Sequence, residues 1–183
     1  PGGAKSASPW VVQKRKCEDG VEAEVLSSLR IGEARAEERT GILRSVEFAM
    51  PEELGFWICG HRGLPDKVAH EDTFVRLVDA KTGEELVRAY PPRSDVCQPA
   101  RWAMPEQVGR RVRVEIVDGD AGSSYAWLGV TRFSFAGLKV EDFGGEGLQA
   151  KVLGRLASLL KVTAPGELRD RLRPYLPAVP APA

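Results

Sequence analysis

Histidine is nearly absent from this chain: His61 and His70 are the only two in 183 residues. A hydrolytic triad would need one of them beside a nucleophile and an orienting carboxylate. There is no G-x-S-x-G elbow, and Ser45, Ser94 and Ser123 stand in no supporting context. The expectation is no catalytic residue and no enzymatic activity, with His61 as a hydrogen-bonding loop residue. Cysteine is sparse as well. Cys17, Cys59 and Cys97 are odd in number and widely spaced, which excludes a metal-knuckle pattern. Cys59 ends the apolar run Phe56-Trp57-Ile58-Cys59 and reads as a small core residue. Three reduced thiols are expected, with a Cys59–Cys97 or Cys17–Cys97 bridge left open. An excess of one charge is also missing. Lys plus Arg and Asp plus Glu number 26 each, so there is no basic footprint and no nucleic-acid partner is expected. Arg110, Arg111 and Arg113 cluster, but they alternate with Val112 and Val114 as the wet face of a strand does. No run approaches the roughly 20 apolar residues of a membrane helix, so no membrane partner is expected either. No secretory signal is visible. The chain opens Pro1-Gly2-Gly3 without an initiator Met, as a processed chain or one cut from a longer protein would, so localisation stays unknown from this alone.

What is present is ordinary material for a soluble domain: 43% hydrophobic and 28% charged residues. Residues 1–9 are small and polar and read as a linker end. Trp10 to Gln13 starts the first strand, Asp19-Gly20 is a turn, and Val21 to Ile31 reads as a second strand. Gly32 to Thr40 is charged and reads as a loop. From Gly41 a period of two is clear. Val46, Phe48 and Met50 share one face. Leu54 to Gly60 is apolar throughout, as in a central strand covered on both faces, with Trp57 in the core. Phe74–Ala80 and Glu84–Tyr90 flank Lys81-Thr82-Gly83, a short hairpin loop. Val96 to Met104 is a weaker strand carrying Pro99. In Arg111 to Asp118, Val112, Val114 and Ile116 face in, whereas Arg113 and Glu115 face out. Tyr125 to Phe135 closes the sheet. Short strands at this spacing with no helix between them predict a β-sandwich or jelly roll over 10–136. Past Phe135, Leu148, Val152, Leu156, Leu159 and Leu160 recur at helical spacing, which predicts a short helical appendage over 137–176. A Pro/Ala-rich tail follows over 177–183. The fold class is therefore all-β, a jelly-roll β-sandwich with a short C-terminal helical appendage.

Four segments carry a resemblance. Gly41-Ile42-Leu43-Arg44-Ser45-Val46-Glu47-Phe48 looks like the opening strand of galactose-binding-like jelly rolls. The apolar strand ending Cys59-Gly60-His61-Arg62-Gly63 is similar to their strand and glycine-rich loop. Val75 to Asp79 with Thr82-Gly83 resembles their hairpin. Gly109-Arg110 through Asp118, followed by Ala126-Trp127-Leu128-Gly129-Val130-Thr131-Arg132-Phe133, resembles their closing pair of strands. The likeness covers roughly Gly41 to Phe135 and is of the type embedded in multidomain planctomycete-type secreted proteins. Thr131-Arg132 stand where the pattern has a second Asp, so a site depending on that carboxylate is not implied. The resemblance implies glycan binding or domain adhesion and favours a secreted or periplasmic setting.

The candidate residues follow from ligand chemistry. Sugars need donors, acceptors and an apolar face. His61, Arg62, Arg93, Asp95 and Trp127 are the expected ligand-binding set, gathered at one end of the jelly roll by its loops. Trp127 is expected to be half exposed as a stacking platform, with Trp102 a lesser one. Core packing is the plainer reading of both, and an internal Arg93–Asp95 bridge is the plainer reading of that pair. Asp72, Asp118 and Asp120, with Glu71 nearby, could offer oxygens to a structural calcium, although the spacing is not that of an EF-hand. No other cofactor is expected. The reading is a noncatalytic, carbohydrate-binding-like module within a larger protein, with carbohydrate as its partner. The alternative is a structural spacer or interaction domain that contacts neighbouring domains of the same chain.

Overall fold

The strongest alternation in the sequence, Val112-Arg113-Val114-Glu115-Ile116, forms the central strand of one sheet. The computed structural model describes residues 9–134 and the backbone of 143–144. Its strands are β1 (Val11–Lys16), β2 (Glu22–Ser27), β3 (Gly41–Ser45), β4 (Phe48–Ala49), β5 (Glu53–Arg62), β6 (Thr73–Asp79), β7 (Glu85–Ala89), β8 (Ser94–Ala103), β9 (Arg111–Asp118), β10 (Ala126–Thr131) and β11 (Phe143–Gly144). One sheet runs β1-β2-β10-β5-β8. The other runs β11-β3-β9-β6-β7, with β4 also on β9. All strand pairs are antiparallel. Setting aside β1, β4 and β11, the orders β2-β10-β5-β8 and β3-β9-β6-β7 are the winding of a jelly roll, in which the chain crosses between two packed sheets. The fold is the all-β sandwich expected. The chain divides into units Pro1–Glu146 and Gly147–Ala183. The expected helical appendage and Pro/Ala tail lie outside the described residues, apart from the β11 backbone.

Period-two patterning places Leu26, Leu54, Phe56, Ile58, Leu128 and Val130 of one sheet against Leu43, Val75, Leu77, Val112, Val114 and Ile116 of the other, all buried. Phe56 meets the edge of Trp102, with ring centres 4.8 Å apart, so Trp102 belongs to the core. Pro99 is tolerated because β8 lies at the end of its sheet's strand order.

Three expectations are corrected. Val46 is exposed, not buried. The chain breaks between β3 and β4, and Ser45 turns inward, where its hydroxyl accepts the Val114 N–H. The buried positions thus change from odd (Leu43, Ser45) to even (Phe48, Met50). Glu115 points away from the sandwich core but is 1% exposed, not wet. Arg44, Arg76 and Arg113 all donate to its carboxylate. Burial alone would raise its pKa, and the three guanidiniums outweigh that and hold it below the usual carboxylate range. Trp57 is only half buried, with the Arg132 guanidinium 4.5 Å above its ring.

Candidate functional site

The outer face of the five-stranded sheet is unusual because it carries a second buried cluster: Cys17, Val25, Cys59, Cys97 and Trp127. By alternation these point opposite to Leu26, Ile58 and Leu128 of the sandwich core. The sheet curls over them. Its first and last strands meet where Cys17 bridges Cys97, and the Glu18 N–H donates to the Cys97 carbonyl at 2.9 Å. The result is a cup, and a cleft of about 430 Å³ opens at one end of it.

Trp127 is the floor of this cleft. It faces His61 across the β10–β5 ladder, and the Arg15 guanidinium stacks 4.4 Å above its ring. Trp127 is therefore 3% exposed and covered, not the half-exposed platform expected. The open ring is that of Tyr125, 40% exposed, whose edge-on partner is His61 at 4.8 Å. Tyr125 sits at φ 58°, a left-handed conformation that costs a non-glycine residue about 1–2 kcal/mol. Its carbonyl accepts the Gly63 N–H at 2.7 Å, which helps hold it there. Such strain persists where surrounding structure over-determines it, often at binding sites.

Polar groups converge above the floor. The Asp95 carboxylate lies 3.5 Å from His61 Nε2 and 3.9 Å from Arg15 Nη1. His61 Nδ1 and Arg15 Nε and Nη2 are buried and have no hydrogen-bond partner among the described residues. Buried polar atoms left unpaired are costly, so they mark places where a partner fits. The Nε–Nη2 edge is the side of a guanidinium that can donate two parallel hydrogen bonds. Glu37, in the 3-10 turn Ala36–Glu38, accepts the Ala126 N–H at 2.8 Å and ties that turn to the start of β10.

Of the five expected ligand residues, the fold brings together His61, Asp95 and Trp127. Arg62 and Arg93 serve elsewhere. Arg62 stacks 4.2 Å over Tyr90 and donates to the His70 carbonyl. Arg93, at φ 64°, donates to the carbonyls of Leu64 and Lys67. Both brace the loop between β5 and β6. The expected Arg93–Asp95 bridge does not form, because each has these other partners. Arg15, Glu37 and Tyr125 were not anticipated. The faint signal for Arg15 is its place two residues before Cys17 in a strand of alternating character. For Tyr125 it is an aromatic residue after the turn Gly122-Ser123-Ser124.

The acidic candidates separate. Asp118 is 2% exposed, and Thr73 donates its hydroxyl to it at 3.2 Å. Burial pushes the Asp118 pKa up to about 7. Asp120 pairs with His70 Nδ1 at 2.6 Å and accepts the Gly122 N–H. Asp72 and Glu71 are exposed. Among the described residues no three His, Cys, Asp or Glu side chains gather so as to hold a metal ion. No described helix is long and apolar enough to cross a membrane.

No family model and no curated protein matches this chain. Among solved structures, it is similar to the C-terminal extracellular domain of EmbC from Mycobacterium tuberculosis, at 18% identity and a TM-score of 0.40. The match covers 73% of this chain and 52% of that one, so the chain spans about half the length of that protein domain.

Proposed function

We propose that this chain is a noncatalytic binding module of a larger secreted or periplasmic protein, and that the cleft between β1, β5 and β8 takes a hydroxyl-rich ligand, a saccharide. The observation that carries this reading is the meeting of unpartnered buried polar atoms, the Arg15 donors and His61 Nδ1, with the acceptor Asp95, beside the open ring of Tyr125. A sugar hydroxyl both donates and accepts, so it can lie between Arg15 or His61 and Asp95. A sugar's C–H face suits Tyr125. The resemblance to galactose-binding-like jelly rolls points the same way. The test is a glycan array followed by calorimetry, with and without calcium, since a structural ion belongs to the same reading. Each new hydrogen bond replaces one to water, so affinity is modest, on the order of micromolar to millimolar. Tyr125→Ala and Asp95→Ala should each weaken binding about tenfold or more. Binding unaffected by both changes would move the site elsewhere. No binding to any glycan in either condition would leave contact with neighbouring domains as the better reading.

A further inference from the structure

The chain's three cysteines lie far apart in sequence, yet all three enter the buried cluster inside the cup. Trp57 pairs with Pro99 and Ile58 with Gln98 across β5 and β8. The register shifts just beyond, between Ile58 and Gly60, and at this irregularity the side chains of Cys59 and Cys97 meet, their Sγ atoms 2.9 Å apart. A disulfide needs two cysteine side chains that face each other at close range, and these two meet within one buried cluster. Cys17 approaches Cys97 from the other side, through the bridge that joins β1 to β8. Cys97 is thus the shared neighbour of both other thiols. The Cys59 thiol beside it, then Cys17 and the Arg15 charge, hold the Cys97 thiol below its ordinary value despite burial, while the same pairing and burial push Cys59 up. As the shared neighbour, Cys97 is the sulfur through which either pairing must run.

We propose that Cys59 and Cys97 close a disulfide when the chain folds in an oxidising compartment, and that Cys17 is a resident third thiol that can exchange onto Cys97. With oxidised glutathione as oxidant, the Cys97 thiolate attacks one glutathione sulfur, and the first glutathione leaves as a thiolate. The Cys59 thiolate then attacks Cys97 Sγ, the mixed disulfide breaks, and the second glutathione leaves. The two cysteines lose two electrons and two protons, and these end on two reduced glutathiones. In the exchange step the Cys17 thiolate attacks Cys97 Sγ, the Cys59–Cys97 bond breaks, and Cys59 takes up the proton that Cys17 gave. No net oxidation occurs. All three sulfurs are buried in the folded chain. The oxidation therefore belongs to folding, before β8 docks as the end strand. No ligand in the cleft is required.

The full chain is unfolded in reductant, refolded in a mixture of reduced and oxidised glutathione, then alkylated under denaturing conditions and mapped by mass spectrometry. Wild type should retain one alkylatable thiol, Cys17, and yield a linked Cys59–Cys97 peptide. Cys59→Ser should yield a Cys17–Cys97 link. Cys97→Ser should leave both remaining thiols alkylated. Three alkylated thiols in wild type would overturn the proposal, as would a Cys17–Cys59 link in Cys97→Ser. If Cys97→Ser does not fold, the wild-type and Cys59→Ser maps decide alone.

Discussion

Asp118 should make the protein less stable as the solution becomes more alkaline. It ends β9, opposite Thr73 on β6 and Gly41 on β3, and is 2% exposed. Burial penalises its charged form, and the hydroxyls of Ser28 and Thr73 only partly offset this, so its pKa is pushed up to about 7. In the unfolded chain the group titrates near the ordinary aspartate value of 3.8. Between these values the folded state holds a proton that the unfolded state has released. Stability is therefore fully present below about pH 4 and is lost as pH rises through about 7. At about 1.4 kcal/mol per pKa unit, the three-unit gap corresponds to about 4 kcal/mol. Asp118→Asn keeps the shape and cannot ionise. Relative to wild type, this variant should gain about 2–4 kcal/mol between pH 4 and pH 8, the lower figure allowing for relaxation around the charge. The assay is urea unfolding of both proteins at half-unit pH steps. With slopes of about 2 kcal/mol per molar urea, the midpoint difference should grow by about 1–2 M across the window. Comparing variant with wild type cancels the other carboxylates, several of which have lowered pKa values and act in the opposite direction. A difference that stays flat with pH, or shrinks as pH rises, would refute the argument.

Glu115→Gln should lower stability by about 3 kcal/mol, read as a fall in urea midpoint, because it strips three guanidiniums of a buried countercharge. A change below about 1 kcal/mol would mean that solvent already screens those arginines. Gly60→Ala should abolish cooperative thermal unfolding, since Gly60 has φ 120° and a Cβ there would lie 2.2 Å from the Trp127 carbonyl oxygen. A normal melting curve for that variant would show that β5 and β10 can separate at little cost.

The parts of the fold legible in the sequence are those where local pattern and tertiary role agree. Val112, Val114 and Ile116 alternate and are buried, and the hairpin around Gly83 turns where its left-handed glycine stands. Leu54 to Gly60 is apolar, with β8 along one edge and β10 along the other from Trp57 onward. Illegible parts depend on partners distant in the chain. Val46 obeys the period of two but falls in a break that switches which parity is buried. Glu115 looks like a solvent residue until Arg44 and Arg76 arrive from other strands to cover it. The candidate site divides the same way. His61 and Asp95 border apolar runs where the sequence pattern predicts loops, but they lie within β5 and β8, and the curl of the sheet brings them together. Arg93 carried the same signal and went to the carbonyls of Leu64 and Lys67, a choice only loop geometry decides.

The place of the cleft follows from residue size on the outer face of the five-stranded sheet. That face has small residues at its centre: Ala23, Cys59, Cys97 and Gly129. A Cβ at Gly129 would lie 2.6 Å from Val25 Cγ1 and 3.1 Å from Cys59 Sγ, so a larger residue would hold the strands' side chains apart. With small groups inside, the natural twist of the sheet can tighten until β1 reaches β8. The meeting at Cys17 and Cys97 closes one end of the cup. At the other end stand the large residues, Trp127 under Arg15, with His61 and Tyr125 beside them. Trp127 fills that end of the cluster, and His61, Tyr125 and Arg15 stack around it and line an opening. The same curl brings the thiols together and sets Asp95, two residues before Cys97 on β8, opposite Arg15, two residues before Cys17 on β1. The thiol cluster and the cleft are thus two consequences of one closure, and locking β8 at Cys97 would also fix the position of the Asp95 carboxylate.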